Sequence, residues 1–371
     1  MSEARVNNLS NESNTGGPTI AGITTFSGTN FFVPPVGSTA QRPENPQKGA
    51  IRFNTDTKHL EYFKGNTLGW TEVEASNDEL DGGYRGVFGM RAEPSITDSI
   101  DYITISTAGN AQDFGNSTDS RYTYSTCASA TRGFMAGGAF SLVDTIDYIT
   151  FSQTGNAIDF GNLTQSRWVM CQGCASSTRG LFAGGLDPGP STTYNIIDYI
   201  TMASTGNAND FGDLVGTRRM GSACQSTTRG VWSGGYTPSS TNVIEYVTIA
   251  TTGNTSDFGD MSYNFRDGGG TSNSTRGIWF GGSNPGVNTI SYITIASTGN
   301  ALDFGDLDNL LANGGAASSP TRAVYGGGLA PGNKNNIEYI EIPTTGNALD
   351  FGDLVAAGHN LQAFSNGHGG L

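Results

Sequence analysis

Short runs of β-branched and aromatic residues alternate with turns rich in Gly, Asn, Ser and Thr along most of this chain. Residues 244–249 (IEYVTI) have the composition of a strand, and the Thr-Gly-Asn at 252–254 is a hairpin turn signal. The chain then returns through 257–259 (DFG) as an adjacent strand. Two further strands are predicted at 220–225 and 228–235. The pattern therefore predicts four strands in each stretch of about 47 residues.

This predicted unit occurs six times. The tripeptide Asp-Phe-Gly recurs at spacings of 46, 51, 47, 46 and 47 residues, together with an Arg-Gly or Arg-Ala pair and a Tyr. A four-stranded sheet of this size cannot bury both faces alone, so the repeats must stack on one another. The Arg, Tyr and Asp of the successive units are Arg85, Tyr102, Asp113; Arg132, Tyr148, Asp159; Arg179, Tyr199, Asp210; Arg229, Tyr246, Asp257; Arg276, Tyr292, Asp303; and Arg322, Tyr339, Asp350.

Both ends of the repeat region indicate that it closes on itself. Residues 360–369 look like the strand that would precede a seventh Thr-Arg-Gly, whereas the first unit, starting at 84–86, has only a weak leading strand. We therefore expect the C-terminal strand to complete the first sheet. Ring closure leaves only short, protected edges. The predicted fold is all-β, a six-bladed β-propeller over residues 79–371.

The N-terminal part has a different character. Residues 1–45 show no periodicity and are rich in Asn, Ser, Thr, Gly and Pro, which predicts an extended arm or linker. Residues 46–78 contain three short apolar runs separated by turns, which predicts a β-meander too small to be stable alone. We interpret this meander as an attachment module. Its candidate contact residues are Ile51, Phe53, Tyr62, Phe63 and Trp70.

Composition and charge narrow the possible functions. Gly accounts for 54 of 371 residues and charged residues for 14%, against a usual level of about 25% charged, which favours turn-rich β structure over long helices. The net charge of −14 would repel a phosphate backbone, so no nucleic-acid partner is expected. No run approaches the roughly 18 apolar residues of a membrane span, and the N-terminus lacks the apolar segment of a secretory signal. Four Cys are too few for disulfide bonds to stabilise a chain of this length, and such a low number fits synthesis in a reducing cytoplasm.

Most of the repeated residues have a structural interpretation. Six tandem Asp-Phe-Gly copies without a nucleotide loop exclude the magnesium site of a protein kinase. Trp232 and Trp279 occupy repeat positions filled elsewhere by Phe, Met or Tyr, and we expect them in the core. The repeat arginines are expected to pair with a carboxylate or carbonyl of a neighbouring blade. Cys127, Cys174 and Cys224 each precede a repeat Arg by five residues, which indicates a small buried position. The Cys171–Cys174 pair is a weak metal signal, and we expect neither metal nor cofactor.

Recognition is expected where the repeats differ. Six variable loops are assigned to one rim, at 90–99, 139–145, 186–195, 236–243, 283–289 and 329–336, and include Tyr236. Aromatic and cationic residues that suit glycan stacking or protein contact also break the repeat, and we place them on the opposite rim. Ordinary loop variation is the alternative explanation. The candidates on that opposite rim are Tyr122, Arg167, Trp168, Arg218, Arg219, Tyr263 and Arg266.

Three resemblances together cover nearly the whole chain. The Gly doublets followed by a Tyr strand resemble Kelch-type propellers over about residues 79–371, with the Phe of Asp-Phe-Gly in place of the Kelch Trp. Residues 37–73 resemble a segment recurrent in structural proteins of tailed phages, often near the virion-attached end of tail fibres. Strings such as ISYITIASTGNALDFGDL and TRGVWSGG look like those of virion proteins from marine phages, cyanophages especially.

These resemblances imply a virion structural protein, assembled in the host cytoplasm. We expect a tail-fibre or appendage component that contacts other virion proteins through residues 1–78 and displays a propeller for adhesion to a host-surface polysaccharide. By analogy with phage fibres, we expect the chain to form a homo-oligomer, namely a homotrimer. A capsid decoration or tail-shaft component is the alternative. A carbohydrate-active enzyme would need a metal cluster or a carboxylate pair that breaks the repeat, and the sequence shows neither, so we expect no enzyme activity.

Overall fold

The structure is a computed structural model that describes residues 34–371 except 58, 68, 73–82, 93–94, 140–143, 188, 190, 283–285 and 330. The chain divides into two compact units, Met1–Ser76 and Asn77–Leu371. Most of the predicted arm, residues 1–33, lies outside the described residues.

The first unit contains one four-stranded sheet. Its last three strands form the predicted antiparallel meander, and its first strand pairs in parallel with the second. This first strand and the 3-10 turn at Thr39–Gln41 fall inside the predicted arm, so the arm prediction was wrong there. Two paired residues are too short a run to produce a strand pattern. The strands are β1 (Val36–Gly37), β2 (Ile51–Asn54), β3 (His59–Phe63) and β4 (Trp70–Glu72).

The described residues of the second unit form six four-stranded antiparallel sheets, one for each repeat, as well as a small hairpin. They are numbered sheets 1 to 6 by repeat. Sheet 1 contains β5 (Arg85–Gly89), β6 (Ser99–Thr104) and β7 (Gln112–Asn116), and sheet 2 contains β8 (Ser125–Ala128), β9 (Arg132–Ala136), β10 (Thr145–Thr150) and β11 (Ile158–Asn162). Sheet 3 contains β12 (Cys174–Ala175), β13 (Arg179–Ala183), β16 (Ile196–Thr201) and β17 (Asn209–Asp213), and the small hairpin of β14 (Leu186–Asp187) and β15 (Thr192–Thr193) lies between β13 and β16 in the chain; sheet 4 contains β18 (Ser222–Gln225), β19 (Arg229–Ser233), β20 (Thr241–Thr248) and β21 (Ser256–Phe265). Sheet 5 contains β22 (Gly269–Ser272), β23 (Arg276–Phe280), β24 (Val287–Thr294) and β25 (Leu302–Leu311), and sheet 6 contains β26 (Gly315–Ser318), β27 (Arg322–Gly326), β28 (Asn336–Glu341) and β29 (Leu349–Asp353).

The C-terminal strand, β30 (Gln362–Ser365), completes sheet 1, as the sequence predicts. It pairs antiparallel with β5, with Phe364 opposite Val87. In each sheet the first strand contacts the first strand of the next sheet, and β30 contacts both β26 of sheet 6 and β8 of sheet 2. The contacts between sheets therefore follow a cyclic order.

Each pair of neighbouring sheets encloses one cluster of buried apolar side chains. Phe258 of sheet 4 and Trp279 of sheet 5 share one cluster, and Phe351 of sheet 6 shares another with Phe88 of sheet 1. The six Phe side chains of the Asp-Phe-Gly repeat are 2–3% exposed and all lie in these clusters. Because the apolar core lies between sheets, packing of neighbouring repeats buries it.

The glycine of Asp-Phe-Gly is required by the neighbouring sheet. At Gly305, φ is +152°, and an added Cβ would lie 2.3 Å from the carbonyl oxygen of Gly346 in a turn of sheet 6. The equivalent distance is 2.3–2.5 Å at all six positions, including the one between Gly352 of sheet 6 and Gly109 of sheet 1. No side chain can occupy this boundary unless the sheets separate.

The same turn covers the exposed edge of the outer strand. Gly346 N–H donates to the carbonyl oxygen of Phe304 at 2.8 Å, and Asn347 Oδ1 accepts the N–H of Asp306 at 3.1 Å. All six turns make these two bonds, at 2.7–2.8 Å and 3.0–3.1 Å respectively. The Thr-Gly-Asn turn, predicted as a hairpin signal, thus also pairs part of an edge strand.

The repeat Arg and Tyr act together across the same boundaries. The guanidinium of Arg229 lies 4.7 Å from the ring centroid of Tyr246, and its Nη1 donates to the carbonyl oxygen of Ile295 in sheet 5 at 2.8 Å. All six repeat arginines stack on the Tyr of their own sheet, at 4.3–4.9 Å. Each also donates to a carbonyl of the following sheet. The prediction that these arginines are structural is confirmed.

The repeat cysteines pack against the glycine of the next Arg-Gly pair. An added Cβ at Gly277 would lie 2.3 Å from Cys224 Sγ, and Gly180 and Gly230 face Cys127 and Cys174 in the same way. All four cysteines are buried and free. The small buried position that the sequence predicts is therefore confirmed.

Replacing Gly277 with Ala should lower the free energy of unfolding by about 2 kcal/mol, because the new methyl group overlaps Cys224 Sγ in a packed interface. Removing that sulfur in the double variant Gly277→Ala/Cys224→Ala should restore at least half of the loss. Sheet 6 already carries Ala323 at this position. Urea unfolding of both single variants and the double variant measures the coupling. Additive losses would contradict this explanation.

The residues after β30 form a buried turn. His368 Nε2 lies 2.7 Å from the carbonyl oxygen of Ala128, and Nδ1 accepts the N–H of Gly370 at 3.1 Å. These partners fit a neutral imidazole in which Nε2 donates. Burial lowers the pKa of His368 to about 4.

The protein should therefore lose stability as the pH falls from 6.5 to about 4. In this range the unfolded chain binds a proton at His368, with an ordinary pKa of about 6.5, whereas the folded chain does not. The contribution of the neutral His368 side chain to the free energy of unfolding is complete above pH 6.5, and roughly 3 kcal/mol of it is lost by pH 4. The difference in unfolding free energy between the wild type and His368→Gln isolates this effect. It should shrink as the pH falls, and a pH-independent difference would show that His368 does not titrate in this way.

Candidate binding face

Buried ion pairs hold the entry to the first strand in three of the sheets, sheets 2, 3 and 4. Arg167 is fully buried, its Nη2 lies 2.6 Å from Asp198 Oδ2, and its Nη1 donates to the carbonyl oxygen of Gly184. Arg218 is 5% exposed and pairs with Glu245 at 2.6 Å. The prediction of Arg167 and Arg218 as recognition residues is therefore wrong, because both guanidinium groups are occupied inside the sheet. The third pair is Arg121 with Asp147. In sheet 1 the entry position holds Gly358, and Arg91 from the loop after β5 forms the ion pair with Asp101.

Sheets 5 and 6 have an apolar residue in place of the arginine of this ion pair. In sheet 5, the Arg position holds Phe265 and the acidic position holds Ser291, and both are buried. In sheet 6, Leu311 stands at the Arg position above Glu338. Burial raises the pKa of Glu338, whose carboxylate accepts the N–H of Asp308 at 2.9 Å. An ion pair at this place is thus one of several arrangements that the repeat tolerates.

The two sets of candidate recognition residues lie on one face, which corrects the prediction of opposite rims. Trp168 forms a backbone bridge with Leu186, and Arg219 forms one with Tyr236, the first residues of two variable loops. In an antiparallel sheet the loop after the second strand and the segment entering the first strand lie at the same end. We call this side, which carries the variable loops and the segments entering each first strand, the upper face.

Six residues in the left-handed backbone region stand at equivalent positions of the upper face. Each lies in the segment that enters the first strand of its sheet. Five backbone hydrogen bonds of 2.6–3.3 Å connect these residues, or the residues next to them, between adjacent sheets. One of these bonds joins Thr123 N–H of sheet 2 to the carbonyl oxygen of Asn360. All six line a cavity of about 30 Å³, a volume suited to about one water molecule. They are Thr123, Val169, Met220, Asp267, Asn313 and Asn360.

The residues next to this series form an arc of aromatic and cationic side chains in four of the sheets. The residue before each left-handed residue is Tyr122, Trp168, Arg219 and Arg266 in sheets 2 to 5, but Ala312 and His359 in sheets 6 and 1. All four members of the arc are half-buried. We use the name upper arc for Tyr122, Trp168, Arg219 and Arg266. The repeat thus varies in chemistry here, whereas it is nearly constant at the sheet boundaries.

Two arginines of the upper arc meet at one tyrosine. The guanidinium carbons of Arg219 and Arg266 lie 5.3 Å and 4.8 Å from the ring centroid of Tyr236. Asp267 lies beside them, with its Oδ2 3.5 Å from Arg266 Nε. Burial raises the pKa of Asp267 to about 6, although both arginines act in the opposite direction. We call Arg219, Tyr236, Arg266 and Asp267 the arginine cluster.

Tyr263 is not part of this cluster. Its hydroxyl donates to the carbonyl oxygen of Gly281 at 3.1 Å, and its ring packs edge-on against Phe265 at 6.1 Å. Burial raises the pKa of Tyr263 to about 12. These contacts give Tyr263 a packing role in sheets 4 and 5.

The candidate attachment residues of the first unit divide into two groups. Phe63 is 7% exposed and packs on Trp70 at 5.5 Å between ring centroids, so Phe63 is a core residue of its own sheet, which corrects that candidate. Ile51 is 52% exposed, and Phe53 and Tyr62 are half-buried. The apolar side chain that this sheet presents most openly among the five is therefore Ile51.

Sequence reasoning missed Asp267 and the other left-handed residues. Asn and Asp tolerate this backbone conformation, and three of the six positions carry them, which is a weak signal. The other three are Thr123, Val169 and Met220, which have no such tendency. Only the aligned tertiary positions make the series visible.

Within the described residues, no three His, Cys, Asp or Glu side chains come together as a metal site requires. No helix in that part of the chain has the length and apolarity of a membrane span. No family model matches this chain, and no curated protein matches it.

Proposed function

We propose that the second unit is a Kelch-like six-bladed β-propeller whose upper face is a binding surface. Support for the propeller comes from the cyclic order of contacts, from the six equivalent apolar clusters and from the pairing of β30 with β5. A rigid disc of this kind presents loops from every blade on one face.

The binding role is supported by the location of the variation among the repeats. Side chains at the sheet boundaries are nearly constant, whereas the upper arc combines Tyr122 and Trp168 with Arg219 and Arg266. Aromatic rings stack on sugars and guanidinium groups donate several hydrogen bonds, so the arc suits a glycan. Packing alone does not require these residues, since Ala312 occupies the same position in sheet 6.

We further propose that the protein is a virion structural component of a tailed phage. In this proposal it is a tail-fibre or appendage subunit, held to other virion proteins by residues 1–78 and adhering to host-surface polysaccharide. The resemblance of residues 37–73 to virion-attached segments supports this, together with the division of the chain after Ser76. A homotrimer is part of the proposal.

A second candidate is a capsid decoration or tail-shaft role with contacts to virion proteins alone. It is favoured by Ile158, Leu302 and Leu349, which stand at equivalent positions of three outer strands and are each 58% exposed. Repeated apolar side chains on outer strands suit contacts with neighbouring subunits.

The test combines binding and location. Purified full-length chain is applied to an array of neutral and acidic bacterial surface polysaccharides, and phage particles from the source of the chain are imaged by cryo-electron microscopy. Glycan binding together with an outward-facing disc supports adhesion. Absence of glycan binding with the disc enclosed between subunits supports the second candidate, and absence of the chain from particles would overturn both.

A further inference from the structure

The arginine cluster concentrates positive charge on an acidic protein. Two guanidinium groups face one carboxylate there, on a chain with a net charge of −14. Arg219 and Arg266 occupy equivalent positions in consecutive sheets, so their proximity follows directly from the repeat. Two like charges held at the same ring repel each other unless an anion lies between or beside them.

These two arginines are less fully bonded than the structural ones. Arg167 has a carboxylate at 2.6 Å and two carbonyl acceptors. Among the described residues, Arg219 has no carboxylate within 4.0 Å, and its Nε is buried without a hydrogen-bond partner. The only acidic neighbour of Arg266 there is Asp267, at 3.5 Å. The cluster thus retains donor capacity for an anionic group.

The surroundings indicate which anion would fit. A planar guanidinium stacked on a tyrosine is pre-organised for the two-pronged binding of a carboxylate or sulfate. Trp168 and Tyr122 continue the upper arc away from the arginines, and aromatic side chains of this kind carry sugar rings. A repeating acidic sugar would place its ring on the aromatic half of the arc and its acid group on the cationic half.

We propose that the arginine cluster binds the acid groups of an anionic polysaccharide, with carboxylate or sulfate as the recognised group. This inference rests on the proposed role of the upper face in binding and specifies its ligand class. Asp267 acts against the ligand, because its carboxylate competes for the same guanidinium groups.

The test uses three dextrans that differ in charge, together with an acidic polypeptide. Full-length protein is passed over immobilised dextran, carboxymethyl-dextran, dextran sulfate and poly-glutamate at 0.15 M salt, a condition that screens weak surface attraction. The protein should bind the two charged dextrans and not the neutral one, and their relative affinities identify carboxylate or sulfate as the preferred group. Equal binding to poly-glutamate would overturn the proposal in favour of an acidic peptide.

Matched variants locate the binding. Arg219→Ala and Arg266→Ala should each weaken binding to the charged dextrans about tenfold, the loss expected for a charge-assisted hydrogen bond. Asp267→Asn should strengthen it. Lys334→Ala removes a positive charge from a loop of the same face in sheet 6 and should change affinity less than twofold. Equal losses with Lys334→Ala, or no binding to either charged dextran, would overturn the proposal.

The outcomes also separate this inference from the proposed function. Binding to neutral glycans on the array, unaffected by Arg219→Ala, would remove the anionic ligand and leave the adhesion role intact. Failure to bind any glycan, charged or neutral, would remove both.

Discussion

Replacing Arg167 with Met will lower the free energy of unfolding by about 3–5 kcal/mol. The change leaves the Asp198 carboxylate fully buried without its guanidinium partner, and only Thr164 then donates hydrogen bonds to it. Charging an uncompensated buried group is costly because water cannot reach it. Urea unfolding at pH 7, analysed with a common slope, measures the shift in midpoint.

A control for this prediction exists within the chain itself. Sheet 5 places Phe265 and Ser291 where sheet 3 has Arg167 and Asp198, so Arg167→Phe/Asp198→Ser transfers a pair that the repeat already uses. Removing both charges should recover most of the stability lost by the single variant. A double variant as unstable as Arg167→Met would mean that the loss arises from packing. A single variant within 1 kcal/mol of wild type would mean that the carboxylate is hydrated after all.

The second large effect is expected at the sheet boundary. Gly305→Ala should lower the free energy of unfolding by about 3 kcal/mol or more, because two costs combine. The backbone there has a φ of +152°, and the new Cβ would lie 2.3 Å from the carbonyl oxygen of Gly346. Backbone atoms of the neighbouring sheet cannot move aside as a flexible side chain can.

The other side of the same contact provides the control. An added Cβ at Gly346 meets no atom within 4 Å, so Gly346→Ala should change stability by less than about 1 kcal/mol. Both variants alter one glycine of the same pair, and thermal or urea unfolding compares them directly. Similar losses in the two variants would show that glycine flexibility, rather than the close approach, explains the repeat.

Local patterns were sufficient to predict the four strands of the repeat. The strand predicted at 244–249 is observed as Thr241–Thr248, and the strand predicted at 257–259 lies within Ser256–Phe265. Both predictions used local information, namely the β-branched and aromatic content and the Thr-Gly-Asn turn. The pairing of β30 with β5 was predictable as well, since a missing first strand and a surplus last strand complement each other.

The candidate binding face was predicted less completely. Trp168, Arg219, Arg266 and Tyr236 do lie on one face, but the sequence placed Tyr236 opposite the others. Arg167 and Arg219 look alike as surface cations in a loop, although one is fully buried beside Asp198 and the other stacks on a tyrosine. Burial depends on which sheet packs above the residue, and that information is not local.

The repeat period and the order of the strands within each repeat follow from the amino-acid sequence, because they depend on residues close together in the chain. The need for glycine in Asp-Phe-Gly is set by the backbone of the neighbouring sheet. The tertiary structure decides which charges are buried, which candidate residues share a face, and that Arg219 and Arg266 meet at Tyr236. These features require residues from neighbouring repeats, about 47 positions apart, to approach within a few ångströms. Packing between sheets sets those distances, and no local preference of the chain contains them.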